Sequence, residues 1–279
     1  MTFAILITVL CRTLGVIAGA QYEDHFFDSS GVNIRYIMAG KGEPVVLIHG
    51  FGANAEFQFV PLIKDLSRDH LVIAMDLRGH GKSDKPHEAS QYGTQWTADV
   101  IRLMDHLKIK RAHIVGYSLG GMITLKLLTE HPERFLSSIL GGSGGARADF
   151  PFDGMEPLLQ AYESGLSVEE IVAKFNLPMP TGDQAELIKK AFDPKAQAAA
   201  GRSLRKLLVS DDQLKAMRVP ILAIYGSKDL VGLIIGLKTL VPGIEFSVIE
   251  GAEHINAPER PEFIRGIRNF LSQHHAKQK

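Results

Sequence analysis

The sequence predicts an α/β domain built on a doubly wound, mostly parallel sheet, and three observations lead there. From about residue 22 onward, short β-rich runs alternate with helix-length segments. Most of these runs are apolar almost throughout, as strands buried on both faces of a parallel sheet must be. The alternation breaks once, between residues 146 and 215, where helix-start signals follow one another without strands.

Residues 22–40 place VNIRYIMAG after a Ser-Ser-Gly turn and read as an antiparallel hairpin feeding the sheet. The strands of the parallel part are VVLIHG (45–50), HLVIAMD (70–76), AHIVGY (112–117), FLSSILGG (135–142), VPILAIYG (219–226) and EFSVIEG (245–251). Helices are expected over 92–108 and 119–130. A further helix over 259–272 gathers Phe263, Ile264, Ile267, Phe270 and Leu271 on one face. Within 146–215, Ser167-Val168-Glu169-Glu170 has the form of a capping box, and Asp183-Gln184-Ala185-Glu186 is a second start signal. Asp193-Pro194 opens a third helix with Pro at its first position. No Gly/Ser linker flanks this stretch, so it reads as a helical insertion over the sheet. The core is then 21–145 with 216–279.

Composition narrows the function classes. The 31 basic and 31 acidic residues balance, and no basic run stands out, so nucleic acid is not an expected partner. The 11 histidines show no metal-ligand spacing, and the single cysteine, Cys11, permits neither an internal disulfide nor a thiolate cluster. Cys11 lies in an apolar N-terminal run, FAILITVLC, followed by Arg12 and TLGVIAGA. Ala18-Gly19-Ala20 resembles a signal-peptide cleavage site. Against that, no Lys or Arg precedes the run and Arg12 interrupts it. A charge near mid-span costs roughly 2.5–3.5 kcal/mol on insertion scales, so no stable membrane span is expected. Two readings of residues 1–20 stand: a cleaved signal with a secreted or periplasmic product, or an extension of a cytoplasmic protein.

The chemistry is carried by Gly116-Tyr117-Ser118-Leu119-Gly120, a G-x-S-x-G match. The pattern alone is weak, since Gly141-Gly142-Ser143-Gly144-Gly145 matches it too. Context separates the two. Ser118 follows a buried strand and precedes a helical stretch, whereas Ser143 leads into ARADFPFDG and reads as a flexible turn before the insertion. A serine needs an adjacent base to attack a carbonyl, and in open α/β sheets such partners come from the carboxyl ends of strands. Gly226-Ser227-Lys228-Asp229 and Ala252-Glu253-His254 follow two later strands. Ser118, Asp229 and His254 thereby stand in the chain order of a nucleophile-elbow hydrolase. Asp149 and Asp153 are the alternative acids; His49 and His80 precede the serine and suit structural roles better. His49-Gly50-Phe51-Gly52 ends the strand 45–50, and the backbone N–H groups of Phe51 and Leu119 are the candidate oxyanion donors.

Over residues 22–275 the chain resembles the capped α/β-hydrolase family. HGFG (49–52), DLRGHGKSD (76–84), GYSLGG (116–121), GSKD (226–229) and the Glu253-His254 pair match its landmarks in order. The resemblance implies an eight-stranded, mostly parallel sheet with helices on both faces and a helical cap. It assigns no catalytic role to Asp76, Arg78 or His80. Related epoxide hydrolases and haloalkane dehalogenases carry Asp where this chain has Ser118, which disfavours those activities. One departure is that many relatives have Pro a few residues after the acid, while Leu-Val-Gly follows Asp229 here.

The expected activity is hydrolysis of a small carboxylic ester with an apolar, short- to medium-chain acyl group, needing no metal or organic cofactor. Carbon–carbon bond hydrolysis, lactone or thioester hydrolysis, and perhydrolysis use the same triad within the family. A non-catalytic receptor or scaffold is the alternative of another class. Substrate-binding residues are not identifiable from sequence. Met155, Leu158, Leu159, Tyr162, Leu166, Phe175, Leu177 and Met179 either line an acyl pocket or pack the insertion onto the core.

Overall fold

The computed structural model describes residues 22–175, 189, 191–229 and 231–276. The apolar N-terminal run, the Asp183–Glu186 signal, and Leu177 and Met179 lie outside the described residues. Eight strands form one sheet in the order β1-β2-β4-β3-β5-β6-β7-β8. They are β1 (His25–Asp28), β2 (Asn33–Ala39), β3 (Glu43–Ile48), β4 (His70–Met75), β5 (Ala112–Tyr117), β6 (Phe135–Gly141), β7 (Ile221–Gly226) and β8 (Glu245–Ile249). The leading hairpin β1–β2 pairs antiparallel and joins β4 antiparallel; every other pairing is parallel.

Period-2 alternation along β3 assigns the two faces. Val46 and Ile48 join α2 (Thr94–His106) and α3 (Leu119–Glu130) in one apolar cluster. Val45 and Leu47 meet α1 (Ala55–Leu66) and the C-terminal helix Pro261–Ser272 in the other. The sequence patterning does not single out α1, because Pro61 sits inside it. A proline there forfeits one helical hydrogen bond. The start of α1 is secured instead by Asn54 Oδ1, which accepts from the Phe57 N–H at 2.8 Å, and by Asp76 Oδ1, which accepts from Ala55 at 2.9 Å.

Between β6 and β7 the described residues are helical: α4 (Glu156–Glu163), α5 (Val168–Lys174), α6 (Pro194–Arg202) and α7 (Asp211–Lys215). Ser167 and Glu170 form a reciprocal capping box at α5, and Asp193 Oδ1 accepts from the Ala196 N–H at α6. Ser210 and Gln213 make a second capping box, passed over in the sequence. Helix α8 (Val231–Ile235) follows β7, and α9 is the C-terminal Pro261–Ser272. No helix of the described residues is long and apolar enough to cross a membrane.

The loop 76–84 is held by buried ions. Arg78 grips Asp99 with two bonds of 2.6 Å, and both side chains are shut off from solvent. Arg35, equally buried, reaches Asp24 at 2.5 Å and Asp76 at 3.4 Å. Removing one partner of a buried pair strands the other charge. Asp99→Ala should therefore lower the unfolding free energy in urea titrations by about 3–5 kcal/mol. Asp65→Ala removes a partner of Arg268, whose side chain is one-third exposed, and should cost less than about 1 kcal/mol. Equal losses in the two variants would contradict this ranking by burial.

Candidate active site

Ser118 sits between the end of β5 and the first residue of α3 with φ 52° and ψ −111°. For a residue with a Cβ this is a sparsely populated conformation, costing about 1–3 kcal/mol. Two glycines make it attainable. A Cβ on Gly116 would lie 2.2 Å from the Gly120 carbonyl oxygen, and one on Gly120 would lie 2.0 Å from that of Ile48. The elbow thus closes only where backbone touches backbone. Ser118 occupies the N-cap of α3, yet its side chain makes no capping bond. Its hydroxyl turns instead to His254.

The three residues singled out in the sequence come together. His254 Nε2 lies 3.0 Å from Ser118 Oγ, and His254 Nδ1 lies 2.8 Å from Asp229 Oδ1. Donation from Nδ1–H to the carboxylate leaves the Nε2 lone pair to accept from the serine hydroxyl. All three are buried. The exits of β7 and β8 are stitched together by Ser227 N–H to Ile249 O and Lys228 N–H to Ala252 O, both 3.0 Å. That stitching sets Asp229 beside the His254 loop. The alternative acids lie elsewhere: Asp149 pairs with Arg147 at 2.5 Å, and Asp153 is 97% exposed and pairs with Arg205.

Tyr117, which the sequence did not single out, braces the His254 loop. Its hydroxyl donates to the His254 carbonyl, and its ring packs 5.3 Å from the imidazole. Burial, with the nearby Asp229 charge, raises the Tyr117 hydroxyl well above its ordinary range, so it remains a donor. Tyr117 occupies a variable position of G-x-S-x-G, and the motif carries no signal for it.

The 49–52 loop lies against Ser118. A Cβ on Gly50 would come within 3.2 Å of Ser118 Cβ. Gly50 N–H is taken by Gln58 Oε1 at 2.6 Å, which anchors the loop to α1. Phe51 is buried with its ring edge-on to His80, and Leu119 opens α3, whose N-terminal end carries positive potential.

A small cavity opens at Ser118 and His254, walled by Met122, Phe150 and Leu233. Ser143, flanked by Gly142 and Gly144, completes the lining. The reading of Ser143 as a flexible turn is corrected here: it is 4% exposed, because the β6 exit packs against the elbow. Met155, Leu158, Leu159 and Tyr162 are buried in the large apolar cluster, and Leu166 and Phe175 pack against it. None of these six lines the cavity.

A sheet of this order, with Ser, Asp and His brought together beyond its strand ends, defines an α/β-hydrolase architecture. The sequence profile of the alpha/beta hydrolase fold matches residues 43–164. A 2-hydroxy-6-oxo-6-(2'-aminophenyl)hexa-2,4-dienoic acid hydrolase of Metapseudomonas resinovorans is 30% identical over 279 aligned positions, covering 91% of this chain and 92% of that protein. The chain belongs to the α/β-hydrolase family. It is also similar to an uncharacterized carboxylesterase of Bacillus subtilis, at 26% identity over 89% of this chain and 87% of the relative. The crystal structure of a meta-cleavage product hydrolase from Pseudomonas fluorescens superposes with a TM-score of 0.66 at 27% identity, covering 88% and 96% of the two chains. Fold and relatives together support an enzyme of the hydrolase class.

Two buried histidines brace the loops behind the site. His49 Nε2 accepts the Leu77 N–H at 3.0 Å while Nδ1 donates to Gly50 O at 2.7 Å, a pattern only the neutral ring satisfies. Burial lowers His49 to about 4. Burial, reinforced by His49, lowers His80 to about 3. Folded-state values below the unfolded one mean that the unfolded chain binds more protons as pH falls. This stability is complete above the unfolded pKa of about 6.5 and drains away on acidification towards the folded values. By pH 5 each histidine should have cost roughly 2 kcal/mol. In urea titrations at pH 7 and pH 5, His80→Asn should lose less stability on acidification than the wild type, by about 1–2 kcal/mol. Equal losses would assign the acid sensitivity to other groups.

Proposed function

We propose that this hydrolase cleaves carboxylic esters with short- to medium-chain acyl groups, with Ser118 as nucleophile, His254 as base and Asp229 as the group that orients it. The observation carrying this reading is the imidazole engaged at both nitrogens, 3.0 Å from Ser118 Oγ and 2.8 Å from Asp229 Oδ1. Ser118 attacks the ester carbonyl while His254 Nε2 takes its proton. Asp229 holds the tautomer and stabilises the imidazolium. The oxyanion is received by the Phe51 and Leu119 N–H groups, and His254 returns the proton to the leaving alcohol. Within the insertion 146–215, the helices α4, α5, α6 and α7 act as the cap of this site.

Carbon–carbon bond hydrolysis is the second reading, favoured by the Metapseudomonas resinovorans relative, whose name describes a dienoic acid substrate. Such a substrate carries a carboxylate, and that charge calls for a cationic partner. The described apolar walls of the cavity, Met122, Phe150 and Leu233, suit the acyl group of a neutral ester.

Ser118→Ala should reduce hydrolysis of p-nitrophenyl acetate and butyrate by roughly 10⁴-fold or more, with the melting temperature little changed. Retention of a tenth of the activity would exclude Ser118 as the nucleophile. Assayed on one panel, the esters should show higher kcat/KM than a 2-hydroxy-6-oxo-dienoate. The reverse order would select the second reading.

A further inference from the structure

The glycine-flanked Ser143 has no part in the mechanism above, yet it shares the cavity of Ser118 and His254. Its hydroxyl accepts a hydrogen bond from Gly145 N–H at 3.3 Å, which is long for such a bond. Among the described residues no acceptor takes the Ser143 proton. A buried hydroxyl with an unspent donor is costly unless something else accepts from it. The cavity's other side-chain polar groups are Ser118 and His254, and these are already bonded to each other.

Sheet order says which side of the nucleophile Ser143 occupies. β5 lies between β3, whose exit is the 49–52 loop, and β6, whose exit carries Ser143. Tyr117 pairs with Gly141 across β5 and β6, so Ser143 stands beyond the strand end next to the elbow. It therefore flanks Ser118 opposite the candidate oxyanion loop, on the side towards β7 and β8 that brings Asp229 and His254. A nucleophile activated by His254 must approach an acyl group on Ser118 from that side. The cavity that Ser118, Ser143 and His254 share has, as a whole and before an acyl group enters, free room on the order of one water molecule. A bound water needs at least two polar partners, and His254 Nε2 and the Ser143 hydroxyl are two.

We propose that Ser143 positions the water that hydrolyses the acyl-enzyme. The inference rests on the ester-hydrolase reading above. Once the alcohol has left with its proton, His254 Nε2 again has a free lone pair. The water donates one proton to Nε2 and its oxygen bonds to the acyl carbon, while the Ser143 O–H donates to that oxygen and fixes the line of approach. The tetrahedral intermediate then collapses. The bond between carbonyl carbon and Ser118 Oγ breaks, the Nε2 proton passes to Oγ, and the carboxylic acid departs. Ser143 gains and loses no proton. Its contribution is orientation, which governs deacylation and leaves acylation almost untouched.

The test uses the full-length chain and p-nitrophenyl acetate. Stopped-flow release of p-nitrophenol reads acylation, and quenched intact-mass measurement of the acetyl-enzyme reads its decay. Ser143→Ala should slow decay by roughly 10-fold or more. The acetyl-enzyme should accumulate, and kcat and KM should fall together so that kcat/KM stays within about twofold. Ser143→Thr retains the hydroxyl and should decay close to the wild-type rate. Should Ser143→Ala fail to fold, Ser143→Cys, nearly the same size but a weak donor, reads the same quantity. Acetyl-enzyme decay at the wild-type rate in the Ala or Cys variant would overturn the proposal. So would a parallel fall of kcat/KM and kcat, which a general loosening of the site produces. If p-nitrophenol release by the wild type is matched by Ser118→Ala, the ester-hydrolase reading itself fails, and this inference with it.

Discussion

The Ser118 backbone, at φ 52° and ψ −111°, is the constraint around which the centre of the molecule is organised. A strained residue persists only where its surroundings over-determine it, and here they do so from three sides. Gly116 and Gly120 bring the strand and helix backbones into contact below it. Ser118 N–H donates to Gly141 O at 2.8 Å, tying the elbow to β6. On the other side Gly120 presses against Ile48 at the end of β3. The strain points the hydroxyl away from its own helix N-terminus, where a serine would ordinarily cap, and towards His254. Backbone geometry is thereby converted into side-chain chemistry.

The supporting polar network is buried, and its value lies in shape more than in net stability. The Arg78–Asp99 and Arg35–Asp76 contacts lie in the interior, where desolvation offsets much of the attraction. What they supply is direction. Asp76 receives N–H groups from Ala55 and Lys82, so one carboxylate sets both the start of α1 and the course of the 76–84 loop. α1 in turn carries Gln58, which pins Gly50 beside Ser118. A chain of contacts thus runs from the buried ions to the candidate oxyanion loop.

Among the described residues, the helical segment between β6 and β7 is joined to this network through a buried contact. Gln197 on α6 donates from Nε2 to Gly79 O at 2.8 Å. Nearby, His87 and Asp193 make a more exposed contact at 2.9 Å. The position of the segment over the core is therefore coupled to the loop that Asp76 and Arg78 shape. The residues walling the cavity come from α3, from the β6 exit and from the stretch after Asp229, while α4 spends its apolar side chains on packing.

Much of this was legible in the sequence because it is local. Apolar runs and turn residues mark the strands, helical periodicity marks α9, and cap residues mark α5 and α6, since each signal lies within a few positions of the structure it dictates. α1 escaped because Pro61 contradicts the local pattern and tertiary contacts from Asp76 override it. Ser118, Asp229 and His254 were identifiable by their places after strands and by their order, and only the fold sets them within bonding distance. The sequence could not assign Tyr117, Ser143, Phe150 or Leu233 to the site. Their proximity depends on β6 lying between β5 and β7, and strand order is set by packing of the whole sheet. Residue types and chain order determined which chemistry this protein can perform. The tertiary structure decided which neighbours surround it, because contacts between distant strands have no counterpart in local sequence.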